Sequence, residues 1–207
     1  MENQWLSWIK RVQAVSDTGL HYAKDPFDTE RYAEIDQIAK AMLAALGDVP
    51  VASIEALLGP TSLRYVTPQV EVRGAVIHEE KILLVREASD GLWSLPGGFA
   101  DVGLSARQNI EKEIREEAGI ETQATRLFAL RHKAQGPYPP DIRDFYKLYF
   151  LCAPLGDPSP RAQHETTDAA YFAPKDLPEL SRGRVAPRDI EDAFAAASDL
   201  NWAVAID

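Results

Sequence analysis

The chain has 207 residues with 32 Asp and Glu against 22 Lys and Arg, so its formal net charge is −10. Hydrophobic residues make up 45% and charged residues 26% of the chain, which is near the globular average and excludes wholesale disorder. The acidic balance argues against a stable nucleic-acid partner, because such binding needs an excess of Lys and Arg to displace counterions. Cys152 is the single cysteine, which excludes an intrachain disulfide.

The N-terminal segment MENQWLSWIKRVQAV has charges among its apolar residues, unlike a secretory signal. No run of the sequence approaches the ~18 apolar residues of a membrane helix. We therefore expect a cytoplasmic protein without a membrane partner.

The first 59 residues have the three-and-four spacing of apolar residues that is typical of helices. Asp25 and Pro26 predict an N-cap and a first helical residue, and Gly47 predicts the end of that helix. Ser53 predicts the N-cap of a further short helix, Ile54–Leu58. The apolar residues that define the first two helices are Trp5, Trp8, Ile9, Val12 and Val15, then Tyr32, Ile35, Ile38, Ala39, Met42, Leu43 and Leu46.

Beyond residue 60, β-branched runs alternate with turn residues and predict strands. Glu79 and Glu80 join the first two strands in a hairpin, while Ser105 and Gln108 form a capping box for a helix that ends at Gly119. The predicted strands are Val70–His78, Lys81–Val85, Leu92–Leu95, Thr125–His132, Phe145–Cys152 and Ala169–Phe172, and the helices are Ser105–Ala118 and Ile190–Ala197. This pattern predicts an α/β domain over residues 63–207, preceded by a small all-helical domain over residues 1–62.

Three carboxylates share one face of the helix that follows Gly97-Gly98. Glu113, Glu116 and Glu117 lie at i, i+3 and i+4. They border the apolar stripe of that helix, which favours a site over an ordinary solvated acidic face. Hard oxygen ligands on a rigid element suit Mg²⁺ or Mn²⁺, and the two glycines let the backbone approach a ligand closely.

This segment, GGFADVGLSARQNIEKEIREEAGI, resembles the box of the Nudix hydrolase family, G-x5-E-x7-R-E-U-x-E-E-x-G-U, in which U is a bulky aliphatic residue. Two positions depart from the pattern: Leu104 stands at the first box glutamate and Lys112 at the box arginine. The departures put the fine positioning of the cluster in doubt more than metal binding itself. The matching residues are Gly98, Glu113, Ile114, Glu116, Glu117, Gly119 and Ile120.

The resemblance implies a Nudix α/β/α sandwich with a mixed sheet and a bound Mg²⁺ or Mn²⁺ ion. It implies that Glu113 and Glu117 are the principal metal ligands, with Glu116 assisting and the Gly97 carbonyl completing the site. Glu116 is the nearest candidate within the box for taking a proton from an attacking water. Glu165 lies in the region where many family members place a loop glutamate as base or extra ligand, and an ordinary exposed acid is the equal alternative.

The departures and the helical segment resemble one Nudix subgroup in particular. That subgroup has Lys for the box arginine and N-terminal motifs that match WLSWIKRVQ and GLHYAKDPFDTERY here, and the tail LPELS followed by Arg184 also fits. Its members are described as ADP-ribose or CDP-choline pyrophosphatases. The resemblance therefore implies metal-assisted hydrolysis of a nucleoside diphosphate joined to another moiety, giving a nucleoside monophosphate and a phosphorylated moiety. Two alternatives stay open: a catalytically silent nucleotide sensor, and a hydrolase acting on RNA ends.

Six residues are candidates for binding this substrate, and three of them have an ordinary structural alternative. Trp93 and Phe99 flank the glycine turn and are suited to stacking on a base, while core packing is the alternative. Lys147 is suited to neutralising phosphate, with an ordinary surface lysine as the alternative. The remaining candidates are Arg73, Arg86 and Tyr146.

The helical segment carries more apolar surface than it can bury by itself, since so few residues make only a weak core. Its own Nudix domain and a second copy of the chain are the two candidate partners. Closed two-fold dimers are the commonest soluble oligomers, so we expect a homodimer, with residues 1–62 also helping to shape the substrate site.

Overall fold

The structure, a computed structural model, describes residues 3–58, 66–163 and 166–207. The chain forms two compact units, Met1–Gln69 with Pro140–Asp144 and Val70–Pro139 with Phe145–Asp207. The predicted boundary at residue 62 lies outside the described residues and stays a prediction.

The helical unit contains α1 (Gln4–Tyr22), α2 (Pro26–Gly47) and α3 (Val51–Leu58). Asp25 caps α2 as predicted, because its side chain accepts hydrogen bonds from the first backbone N–H groups. The predicted end of α2 was wrong by one residue, since Gly47 is helical and Asp48 forms the left-handed C-cap. The predicted cap of α3 was also wrong: the helix begins at Val51, and the Ser53 N–H already donates to the Pro50 carbonyl.

Of the five apolar residues that predict α1, only Ile9 is buried. Leu6 and Ile9 pack against Ala39 and Leu43 of α2. Trp5, Trp8, Val12 and Val15 form an exposed stripe, and Ile9 lies at its border, on the side that packs against α2. The exposed apolar residues of the two helices include Trp5, Trp8, Val12, Val15, Ile38, Met42 and Leu46.

Polar groups complete the contact between α1 and α2. The Lys40 Nζ lies 2.8 Å from an Asp36 carboxylate oxygen, and both side chains are buried. The Gln13 side chain donates a hydrogen bond to the same carboxylate. Buried charges require such partners, so this cluster fixes how the two helices align.

Among the described helices, none by itself has the length and apolar composition to cross a membrane. The helices α2 and α3 meet this length and composition only as a pair, which is bent by 112°.

The elements of the second unit are β1 (Gln69–His78), β2 (Lys81–Glu87), β3 (Trp93–Ser94), α4 (Ala106–Ala118), β4 (Thr122–His132), β5 (Phe145–Pro154), β6 (Thr166–Phe172), α5 (Pro187–Ser198) and β7 (Ala205–Ile206). Its mixed sheet has the strand order β3-β2-β1-β5-β4-β7, with β6 also paired to β2. The hairpin at Glu79-Glu80 and the capping box of α4 are present as predicted, and both hairpin residues have positive φ angles. Several strands are longer than predicted because backbone pairing extends them, and β7, a two-residue strand, was not predicted.

The two helices of this unit cover opposite faces of the sheet. Ile110 and Ile114 of α4 pack on Val72 and Val76 of β1. On the other face, α5 packs in a core that includes Phe128. Alternate strand residues feed the two cores, since successive side chains of a strand point to opposite sides. The α/β/α sandwich with a mixed sheet is therefore confirmed.

Gly74 of β1 allows α4 to approach the sheet closely. A Cβ atom at this position would lie 2.7 Å from Ile114 Cδ1 and 3.0 Å from Ile110 Cγ1. A side chain there would displace Ile114 and Ile110 of the helix that carries the three glutamates.

We expect Gly74→Ala to lower the free energy of unfolding by about 1–3 kcal/mol, the usual cost of overpacking a core. Urea unfolding followed by circular dichroism measures the change. Gly183→Ala is the matched control, because nothing in the described chain lies within 4 Å of the added methyl group. Equal stability of the two variants would contradict the tight helix–sheet contact.

Candidate functional site

The Pro96–Gly98 turn lies against the backbone of β1. The Val72 N–H donates to the Gly98 carbonyl and the Gly74 N–H donates to the Pro96 carbonyl, each at 2.9 Å. Gly97 has φ +144°, and a Cβ there would lie 2.0 Å from the Val72 carbonyl oxygen. Glycine is required at this position because both the conformation and the space exclude a side chain.

Two of the three helix glutamates reach this turn. The Gly97 N–H donates to Glu117 Oε2 at 2.8 Å, and the Glu117 residue is only 5% exposed. Burial raises the pKa of Glu117 to about 8. The nearby Glu87 and Glu113 carboxylates also act to raise this pKa, while Arg73 and the hydrogen bond from the Gly97 N–H act to lower it. The Glu113 carboxylate lies beside Gly98, since a Cβ on that glycine would be 3.0 Å from Glu113 Oε2.

Glu116 faces a different partner. Its carboxylate lies 3.0 Å from Lys112 Nζ and its side chain is 51% exposed. Lys112 also pairs with Asp101 at 3.1 Å. Its hydrogen bonds to Glu116 and Asp101 raise the pKa of Lys112 well above its ordinary value. Asp101 thus supplies a carboxylate partner for Lys112, a role that sequence reasoning missed because it considered only Leu104.

The donor groups at the turn suit a divalent cation by their chemistry. Glu113 and Glu117 bring carboxylate oxygens together at Gly97-Gly98, and buried neighbouring carboxylates are stabilised by positive charge. Within residues 3–58, 66–163 and 166–207, no three His, Cys, Asp or Glu side chains converge on a single metal position. Glu116 is held by Lys112 instead. The residues present therefore fit a hard cation in ligand type, with two of the three predicted glutamates placed at the turn.

Arg73 and Lys147 are buried rather than presented to a substrate. Both bind the carboxylate of Glu71: Arg73 Nε donates at 2.6 Å and Lys147 Nζ at 2.8 Å. Glu71 was not identified from the sequence. The sequence does hold a signal for this pair: in Glu71-Val72-Arg73 two opposite charges lie two residues apart, on the same side of a strand that is otherwise largely apolar.

The other substrate candidates fall into different surroundings. Trp93 packs edge-on against Phe172 at 4.7 Å between ring centroids, as its core-packing alternative requires. Phe99 is 48% exposed, and its ring lies 5.3 Å from that of Phe145. Tyr146 and Arg86 are exposed, and Arg86 donates a hydrogen bond to the Gly91 carbonyl in its own hairpin. Glu165 lies outside the described residues, so its role stays a prediction.

A cavity of about 580 Å³ is lined by the segment that precedes α5 and by the β2–β3 hairpin. Arg184 is part of this lining, and its guanidinium pairs with Asp90 at 3.0 Å and with Glu87 at 3.1 Å. Its apolar walls are Leu92, Pro139, Leu177, Pro178, Leu180 and Pro187. Arg184 thus joins the lining of the cavity to Glu87, which is one of the carboxylates that raise the pKa of Glu117.

Residues 68–194 match the family described as the NUDIX domain, and residues 3–58 match the family described as the UDP-X-like, N-terminal oligomerisation domain. The first match spans more than half of the chain, so the chain belongs to the Nudix family. It is a Nudix hydrolase of pyrophosphate bonds, as predicted, and Nudix hydrolases generally need divalent metal ions.

Relatives of known name are similar along most of the chain. It is 38% identical over 194 residues to YjhB of Bacillus subtilis (strain 168), provisionally named an ADP-ribose pyrophosphatase, with 94% of this chain and 92% of that one covered. A solved UDP-X diphosphatase is 34% identical, with 98% of each chain covered and a TM-score of 0.63. An ADP-ribose pyrophosphatase from Streptococcus suis 89-1591 is 36% identical with a TM-score of 0.62, covering 68% of this chain and 100% of that one.

We expect Lys112→Arg to change turnover by less than about tenfold, because the positive charge that holds Asp101 and Glu116 is retained on an exposed side chain. Lys112→Met removes that charge and is expected to lower turnover further than Lys112→Arg. Steady-state kinetics on the best substrate compares the two. A collapse of activity in Lys112→Arg would show that Lys112 has a role that requires an ammonium group.

Proposed function

We propose that this hydrolase cleaves the pyrophosphate bond of a nucleoside diphosphate joined to a second moiety, in the class of ADP-ribose, UDP-linked compounds and CDP-choline. The placement of Glu113 and Glu117 at the Gly97-Gly98 turn carries the proposal. The products are a nucleoside monophosphate and a phosphorylated moiety. ADP-ribose and UDP-linked substrates are supported by the names of the relatives, and CDP-choline by the subgroup resemblance.

The site requires a divalent cation, for which we propose Mg²⁺, held by Glu113, Glu117 and the Gly97 carbonyl with Glu116 assisting. When bound, the cation supplies positive charge to the phosphate oxygens. The Gly97 N–H fixes the Glu117 carboxylate, and Lys112 holds Glu116 at the edge of the site. Glu116 is half exposed, which leaves it open to take a proton from water.

The cavity beside Arg184 is our candidate for the nucleoside end of the substrate. Its leucine and proline walls suit a planar base. Arg184 links the cavity to Glu87, whose charge acts on Glu117. A substrate that spans from this cavity to the glycine turn would present its diphosphate to the carboxylates.

The experiment is turnover of a panel of ADP-ribose, a UDP-sugar, CDP-choline and a capped RNA fragment, each with Mg²⁺ and with Mn²⁺. We expect cleavage of a nucleoside diphosphate derivative to a nucleoside monophosphate, identified by product chromatography. Binding of these compounds without turnover would favour a silent sensor. Preferred cleavage of the capped RNA would favour the RNA-end hydrolase.

We expect Glu117→Gln to lower turnover of the best panel substrate by at least about a hundredfold, because one charged metal ligand is lost. Glu111→Gln is the matched control on the same helix. The Glu111 carboxylate accepts a hydrogen bond from the Ala124 N–H, which the amide oxygen of glutamine can also accept. Near-normal turnover of folded Glu117→Gln would remove the proposed metal site.

We also propose that the helical unit forms a homodimer through the exposed apolar stripes of α1 and α2. Trp5, Trp8, Val12 and Val15 follow a three-four-three spacing on the exposed side of α1. The matched family is described as an oligomerisation domain. Exposed apolar stripes of this regularity are typical of helices that pack against another copy.

We expect the full chain to have the mass of a dimer by light scattering, and Trp8→Asp with Val12→Asp to produce a monomer. Gln37→Asp with Ser53→Asp is the control, since this pair adds the same two charges at exposed polar positions of α2 and α3. A monomeric full-length chain at micromolar concentration contradicts the dimer. A double variant that stays dimeric would move the interface elsewhere.

A further inference from the structure

A buried arginine connects strand β1 to the glycine turn. Arg73 Nη1 donates to the Leu95 carbonyl at 2.9 Å and lies 3.4 Å from Ser94 Oγ. Leu95 immediately precedes the Pro96–Gly98 turn. The guanidinium therefore holds the chain at the point where the turn begins, in addition to the backbone bonds from Val72 and Gly74.

The arginine is itself held by Glu71. Glu71 Oε1 accepts from Arg73 at 2.6 Å, and its other oxygen accepts from Lys147 at 2.8 Å. Burial alone would raise the pKa of Glu71, but Arg73 and Lys147 outweigh burial and lower it. One carboxylate is thus shared by two buried cations, and it fixes the plane of the guanidinium fork.

From these contacts we infer that Glu71 and Arg73 are positioning residues for hydrolysis: they set the Leu95–Gly98 segment and, through the Gly97 N–H, the Glu117 carboxylate. Neither residue touches the substrate. The inference rests on the proposed function for its kinetic effect, but its structural effect is measurable without substrate.

The chain of contacts has three steps, and each step is a hydrogen bond. Glu71 orients Arg73, Arg73 binds the carbonyl that precedes the turn, and the turn donates its Gly97 N–H to Glu117. Lysine at position 73 would keep the charge and lose the fork, because an ammonium group cannot reach Glu71 and Leu95 in the same planar geometry. Outer-sphere partners of metal ligands commonly act in this way.

The test compares Arg73→Lys with Arg126→Lys in the full chain. Arg126 is the matched control, since it also binds backbone carbonyls, at Ala196, Asp199 and Leu200. Hydrogen exchange of the Gly97 amide, followed by NMR, measures how firmly the turn is held. Electron paramagnetic resonance titration with Mn²⁺ measures the metal affinity of the carboxylates. Kinetics on the best panel substrate measure turnover and KM.

In Arg73→Lys we expect the Gly97 amide to exchange at least about tenfold faster and Mn²⁺ to bind at least about tenfold more weakly. Turnover should fall at least about tenfold while KM changes less than about threefold, because the reacting centre is affected and substrate binding is not. Arg126→Lys should lower the melting temperature without changing any of these three readings.

A double variant, Glu71→Gln with Lys147→Met, removes one anion and one cation together and so leaves the net charge of the buried cluster unchanged. It should fold and still show faster Gly97 exchange, because Arg73 has lost its carboxylate. Wild-type Gly97 exchange and Mn²⁺ affinity in both folded variants would overturn the inference, and so would failure of both variants to fold. If the wild-type protein cleaves no panel compound while the variants still show altered Gly97 exchange and Mn²⁺ affinity, the proposed function is removed and the structural part of the inference is kept.

Discussion

The contact between the Gly97 backbone and strand β1 is the constraint on which the site depends. A Cβ on Gly97 would lie 2.0 Å from the Val72 carbonyl oxygen, so the two backbones are as close as glycine allows. Gly74, two residues along β1, lets α4 approach by the same means. The glycine turn and the helix α4 are therefore both packed against strand β1, and this brings the Gly97 N–H within hydrogen-bonding distance of the Glu117 carboxylate.

Charges of alternating sign, most of them buried, surround this contact. Lys147 and Arg73 share Glu71, Arg73 lies 3.9 Å from Glu87, and Arg184 pairs with Glu87 at 3.1 Å. Such pairs add little net stability over apolar packing, because desolvation opposes the Coulomb attraction. Their contribution is directional: each charge has a defined partner, so the carboxylates near the turn are held in one arrangement. Arg73 also opposes the rise in the pKa of Glu117 that burial causes.

Local sequence determined the elements whose signals are short-range. The Asp25 cap, the Glu79-Glu80 hairpin, and the capping box with Gly119 as C-cap each depend on residues within a few positions of one another. The spacing of Glu113, Glu116 and Glu117 likewise predicted a shared helix face. Together with the Gly97-Gly98 pair, these signals were sufficient for the fold class and the family.

Tertiary structure decided what depends on distant residues. Which stripe of α1 is buried was set by α2, so Ile9 is internal while Trp8 is exposed. Arg73 and Lys147 have the chemistry of phosphate ligands in the sequence, yet Glu71 binds both inside the fold. The sequence by itself fixed the local shapes and the reactive groups, since these follow from neighbouring residues. The partner of each charge was decided only by folding, because pairing joins residues as far apart as Glu71 and Lys147.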